Sequence, residues 1–469
     1  MIELKPHRPI FRQVRSRSNP YIILVLLFLL LAGVYLLRSV QTHEIVSPFE
    51  ATPTPTRTAN SYALEGETYF NAGNLPAAIT SYQKAAEVDP TNSHLLAELA
   101  RIQTYSSAML STDADRLKQL NEARASIAKA LEIAPNDSEV AAVDAFVLNW
   151  YGNPTLVGKD EAQKAVLNAE FEAVRALNLD KTNTLAMAYY AEILTDQAKI
   201  VQARQYIQQA LQTGESVMDV HRVLAYVNES EGNYGEAIQE YKKAAEINPN
   251  LTFLYISIGL NYRVLGEREN NPKSQNYIDA LEFFTKAVRI NQQNQVNDPI
   301  PYIAIGKTYA QMGEFFSAAR NVRKALEINP LNPDVYGTLG MVYFRARNYE
   351  SAIPALKCAT YGCTAAESCD VRQCNPDTDP ALVIEGMPLS NSTVIYYYTY
   401  GSVLAGMHQP GLTYCNEAVK VLEEVRKVYA TDVDIMSIVD ASAAICERYN
   451  ITFGSTPQPS LTPSPSATP

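Results

Sequence analysis

The chain has 469 residues, 47% of them hydrophobic and 19% charged, with a net charge of −11. That is ample apolar material for a buried core, but the length exceeds one ordinary core and asks for subdivision or repetition. The acidic balance disfavours nucleic acid and anionic lipid surfaces, which bind clustered Lys and Arg.

The chain opens with a basic segment, 1–20, in which Lys5, Arg8, Arg12, Arg15 and Arg17 face a single acid, Glu3. "YIILVLLFLLLAGVYLL", 21–37, follows without a charge. At 1.5 Å per residue it reaches about 25 Å, and Arg38, Ser39 and Val40 extend it. Apolar on every face and flanked by cations, 21–40 is expected to be a transmembrane signal anchor rather than a core helix. A cleaved secretory signal is the competing reading, but it would end at small residues where Leu36, Leu37 and Arg38 stand. "LLAGV" has Val34 where a lipid-bearing cysteine would be needed. Cations stay on the cytoplasmic side, so the expected topology is single-pass in the cell membrane, with the N-terminus cytoplasmic and the rest extracytoplasmic. Residues 1–38 hold six cations and one acid, +5, which leaves −16 on the outer part. The Pro/Thr-rich stretch 41–58 reads as a linker, and 449–469, rich in Pro, Ser and Thr, as a disordered tail. Sequons at Asn136, Asn228, Asn250, Asn391 and Asn450 matter only in a host with N-glycosylation.

Between the two lies an array. "NLPAAITSYQKAAEVDPTN" at 74–92, "NYGEAIQEYKKAAEINPN" at 233–250 and "EFFSAARNVRKALEINPLN" at 314–332 are copies of one segment, and weaker copies start at 120, 168, 200 and 277. A helix-spaced Tyr, Gly, Tyr pattern also recurs, at 61–73, 254–266, 301–313 ("PYIAIGKTYAQMG") and 335–347. Tyr62, Gly66, Tyr69, Ala78, Tyr82, Ala85 and Pro90 give the full signature once. Tyr255, Gly259, Tyr262, Ala280, Phe284 and Ala287 repeat it without the proline, and Tyr302, Gly306, Tyr309, Ala318, Ala325 and Pro330 repeat it with Val322 in an aromatic position. The pattern resembles the tetratricopeptide repeat, a 34-residue pair of antiparallel helices. The expected fold is all-α: a superhelical solenoid over 59–448 with eight or nine units, the ninth at 394–430, and a capping helix, behind an N-terminal single-pass transmembrane helix. Proline spacings of 45 and 46 residues around Pro90, Pro135 and Lys181 mark units with longer helices or loops, and 266–276 reads as an exposed insertion.

All six cysteines fall in the last quarter. Cys415 and Cys446 are equidistant from an expected turn at 430–432 and should form a disulfide, which suits an oxidising compartment. Cys358, Cys363, Cys369 and Cys374 lie in a Cys-rich insertion, 358–392, and are expected to pair among themselves; a zinc site is the weaker alternative, and their connectivity stays open. Asn375, Asp377 and Asp379 imitate a calcium loop, but Pro380 replaces its glycine.

No stretch outside the array is long enough for a separate catalytic domain, and the five histidines are scattered, so no enzyme, cofactor or metal is expected. The resemblance implies a scaffold or adaptor that binds a protein or peptide on a concave wall lined by the first helix of each unit. In that register Arg222, Arg263 and Lys307 form a basic stripe with Tyr226, Phe253, Met341 and Phe344 as anchors, suited to an acidic or C-terminal peptide. The alternative is a structural envelope component that self-associates as a homo-oligomer or binds cell-wall polysaccharide. The membrane is engaged through the N-terminal helix and nucleic acid is not expected.

Overall fold

The structure is a computed structural model that describes residues 19–41, 57–375 and 377–454. Most of the basic segment, most of the first linker and the end of the Pro/Ser/Thr tail lie outside the described residues. The chain divides into two units, Met1–Arg57 and Thr58–Pro469.

The first unit holds one helix, α1 (Pro20–Gln41), started by the Asn19 side chain, which accepts from the Tyr21 amide at 3.1 Å. Leu24, Leu26, Phe28 and Leu30 on it are all more than half exposed. The described apolar side chains close at Leu36, and among the described residues no helix is long and apolar enough to cross a membrane. The expected membrane span over 21–40 is accordingly not found among them.

The second unit is built of helical hairpins. They are α2 (Ala59–Asn71) with α3 (Leu75–Val88), then α4 (Ser93–Ser107) with α5 (Asp113–Ile133). The next, α6 (Ser138–Tyr151), turns through the short α7 (Pro154–Val157) onto α8 (Lys159–Leu179). Regular pairs follow: α9 (Thr184–Asp196) and α10 (Ile200–Thr213), α11 (Met218–Ser230) and α12 (Tyr234–Ile247), α13 (Thr252–Arg268) and α14 (Gln275–Gln293). After α15 (Ile300–Gln311) and α16 (Phe315–Ile328) come α17 (Pro333–Arg345) and α18 (Tyr349–Thr360). The single helix α19 (Ala365–Arg372) precedes the last pair, α20 (Val394–Met407) and α21 (Tyr414–Tyr429), and α22 (Val433–Glu447) caps the stack.

The repeat dictates this packing. The second helix of every hairpin from α3 to α18 carries two alanines seven residues apart, such as Ala78 and Ala85 or Ala237 and Ala244, and each is fully buried. Two helical turns separate them, so both fall on one stripe and let the partner helix approach closely. On the facing helix a glycine does the same: a Cβ on Gly340 would lie 2.6 Å from Leu356 Cγ, an overlap no side chain tolerates. Where Val322 replaces the aromatic it fills the same space, its Cγ2 2.5 Å from a Cβ built on Gly306. Between units, Asn92, Asp137, Asn183 and Asn332 cap α4, α6, α9 and α17 with their side-chain oxygens. The long proline spacings resolve into the 21-residue helices α5 and α8 and the extra turn α7. The 266–276 insertion is only in part a connection, since α13 runs through Arg268 with Gly266 buried and α14 begins at Gln275.

Disulfides join Cys415 to Cys446, Cys358 to Cys363 and Cys369 to Cys374, with Cα separations of 5.4, 4.7 and 4.9 Å. All six sulfurs are thus used, which leaves none for zinc. An antiparallel bridge, Cys363 with Ile384, ties the insertion back on itself.

Unit loops far apart in sequence also meet. Asn248 and Asn250 donate their amides to the Asn71 side chain and carbonyl at 3.0 and 2.9 Å, and Asn294 donates to the Ala72 carbonyl at 2.6 Å. Asn329 and Asn332 donate to Ser111 at 3.0 and 3.1 Å. One coil of the second unit is thereby laced to the next by asparagine. Gly73 sits in this seam at φ +81°, and a Cβ there would lie 2.0 Å from the Asn250 carbonyl oxygen. The sequon asparagine Asn250 already has its amide engaged here.

Candidate functional site

The inner wall of the first coil is made by α4, α6, α9, α11 and α13. Successive inner helices repeat their register, so α9 and α11 exchange bonds thirty residues apart: Tyr189 with Asp219, Glu192 with Arg222, Asp196 with Tyr226. The Arg222 guanidinium grips Glu192 with two bonds, 2.9 and 2.6 Å, and donates from Nε to the Tyr105 hydroxyl at 3.2 Å. Trp150 Nε1 donates to the same glutamate at 3.0 Å. Asp219 accepts from Tyr105, Tyr189 and Arg101, the last at 3.0 Å. The planar guanidinium lies over Tyr105, Phe146 and Trp150, and Phe253 stacks on Tyr105 at 5.0 Å. Side chains from α4 therefore reach across the coil to α11 and α13. Burial alone would press Arg222 toward the neutral form, but Glu192 outweighs it and holds the cation well above its ordinary pKa.

Beside this closed cluster the wall opens into a chamber of about 900 Å³. Asn149, Trp150, Asp196, Tyr226, Tyr241 and Phe253 line it, with Asn153, Pro154 and the exposed Lys159 at the α6–α8 turn. Asp196 has open surface area, yet protein atoms crowd it closely, as befits a carboxylate on the wall of an interior space. That crowding raises its pKa, partly offset by hydrogen bonds from Tyr226 and Asn149. Asn149 is 6% exposed; its Nδ2 donates to Asp196 at 2.6 Å and its Oδ1 has no hydrogen-bond partner.

The expected peptide-contact residues do not stay together. Arg222, at 6% exposure, is spent on Glu192 and cannot head a basic stripe; the register was read correctly, but the glutamate one unit earlier was not paired with it. Tyr226 and Phe253 line the chamber. Arg263 is mostly buried on α13, 3.9 Å from Glu267, with Nε and Nη1 lacking hydrogen-bond partners. Lys307 is exposed on α15. Met341 and Phe344 are half-buried on α17 and pack with the C-terminal hairpin. Trp150, Asn149, Asp196 and Tyr241 were missed. The lone tryptophan inside an over-long unit was the available signal.

An all-α stack of helical hairpins with a chamber in its inner wall defines a helical-repeat solenoid. The chain carries tetratricopeptide repeats: family profiles with that description match residues 59–92, 114–137, 191–251 and 303–360. It is 27% identical over 133 residues to the Photosystem I assembly protein Ycf3 of Synechococcus elongatus, covering 26% of this chain and 77% of that protein. To the human antiviral innate immune response effector IFIT1 it is 22% identical over 245 residues, half of each chain. The solved human IFIT1 dimer with m7Gppp-AAAA superposes with a TM-score of 0.51 at 16% identity, over 82% of this chain and 81% of that one, a likeness of fold.

Proposed function

We propose that this protein is a membrane-tethered scaffold that binds protein or peptide partners on the inner wall of its solenoid, outside the cytoplasmic membrane, without chemistry of its own. The observation that carries the reading is the chamber: beside the closed Arg222–Glu192 and Asp219 cluster the inner wall opens next to Asp196. Relatives whose names place them in assembly or in complexes, such as the Photosystem I assembly protein and BBSome complex member BBS4, support an organising role. Tethering is supported by the uncharged run 21–37 behind its basic flank, and an oxidising location by the use of all six cysteines in disulfides. Exposed Lys307 extends the contact surface along α15.

Crosslinking in native membranes followed by mass spectrometry, with protease added to intact cells, tests both parts. Digestion from outside and a defined crosslinked partner are expected; a protected solenoid or free thiols would overturn the location. A second reading, self-association, is favoured by one observation. Leu167, Phe171 and Val174 on α8 are 57, 66 and 39% exposed at helical spacing, an apolar stripe that a second copy could cover. Light scattering that finds a concentration-independent monomer would dismiss it.

A further inference from the structure

The chamber's charges are unevenly settled. Glu192 is closed by its two-bonded arginine, whereas Asp196 is held only by neutral donors, the Asn149 amide and the Tyr226 hydroxyl. Nearby, Glu229 is likewise held by the Tyr241 hydroxyl and the Asn261 amide, at 3.1 and 3.2 Å. The Asn149 Oδ1 acceptor, in a side chain more than nine-tenths buried, has no donor. Glu192 and Arg222 also line the chamber but neutralise one another, which leaves Asp196 as a wall carboxylate with no cation bonded to it. Trp150, Tyr226, Tyr241 and Phe253 surround that deficit, and aromatic faces attract cations. An anion would meet Asp196 with the exposed Lys159 to compensate, since the Arg222 charge is already matched by Glu192. No group of three or more metal-ligating side chains occurs among the described residues. The volume lies in the range of small-molecule pockets and exceeds a single side chain.

We propose that this chamber is a site for an organic cation, a primary ammonium or guanidinium, seated against Asp196 between the faces of Trp150 and Tyr226. The inference deepens the scaffold reading and rests on the inner wall being the working surface. It reverses the expectation of an acidic peptide: the partner's contribution is a Lys or Arg side chain, or a free amine of the same chemistry.

Trp150 is the chain's single tryptophan and stands on the chamber wall, so its emission reports occupancy. The experiment titrates full-length protein in detergent with acetylated, amidated Gly-Lys-Gly, with its Gly-Gln-Gly and Gly-Glu-Gly counterparts, and with n-butylamine. A saturable change with the lysine peptide is expected, weaker by about tenfold or more for the glutamine peptide and in Asp196→Asn, the loss of one charge-assisted bond. Tyr226→Phe leaves the carboxylate in place without its phenol donor, so the lysine peptide should bind as well or better; this variant decides the matter if Asp196→Asn does not fold. Lysine peptide binding tighter than n-butylamine points to a partner's side chain, and equal binding to a free amine. Equal binding of neutral or acidic peptides, no saturable response to either cation, unchanged affinity in folded Asp196→Asn, or lost affinity in Tyr226→Phe would overturn the proposal. If crosslinked partners are still recovered from membranes in that case, the cation site alone fails; if none is recovered, the scaffold reading fails with it.

Discussion

Removing one member of the Arg222–Glu192 pair strands the other as a buried charge. Arg222→Met should therefore destabilise the fold by about 3–5 kcal/mol, and adding Glu192→Met should restore most of the loss, as read by urea denaturation. The same reasoning disqualifies charge reversal at Arg222 as a probe of partner binding, since it would report on folding; exposed Lys307 is the better position. Asp144 on α6 gives a pH prediction. Burial, with Glu172 nearby, pushes its carboxyl from 3.8 up to about 7, against the opposing pull of Arg175 and Arg124. The folded state holds that proton more tightly than the unfolded chain. Its stabilising contribution is complete below about pH 4 and is lost as pH rises through 7. Asp144→Asn should therefore raise stability at pH 8 by on the order of 2 kcal/mol and change little at pH 4, as thermal melts at the two pH values would show.

Among the elements, the terminal hairpin is the one most dependent on a covalent tie. α22 is the last of the described helices, and Cys446 is pinned to Cys415 on α21 across 31 residues. Replacing both by alanine should cost about 3 kcal/mol in the chain-entropy account, with hydrogen exchange rising first in α22. Gly340→Val should cost about 1–3 kcal/mol, because Leu356 already occupies the space. These hairpins were legible because close packing forces small residues onto fixed steps, and the Ala pairs of α3, α14 and α16 announce themselves in one dimension. The Cys415–Cys446 partnership followed from the same hairpin symmetry. The chamber was not legible, since Tyr105, Arg222 and Phe253 are brought together by superhelical pitch, which no local pattern encodes. Arg222 shows the cost: its inward position was predictable, but its pairing with Glu192 required knowing which residue of the preceding unit stands opposite.

For the second unit as a whole, the asparagine contacts change how stability is distributed. A plain repeat array loses units one by one from its ends, because each touches only its neighbours. Here Asn71, Ala72 and Ser111 are bonded to residues 177 to 222 positions away, so the early units cannot leave without releasing the later ones. Gly73→Ala should break this seam, since its φ of +81° and the Asn250 carbonyl both refuse a Cβ, and a single melting transition should then separate into two.

A stitched coil cannot stretch to admit cargo. Whatever reaches the interior must be slim enough to pass the standing doorway at Asn153, Pro154 and Lys159, or be enclosed while the chain is still winding up. A partner that holds its shape would then offer this space one protruding side chain or a loose end, and girth would be tested before any contact with Asp196 is made.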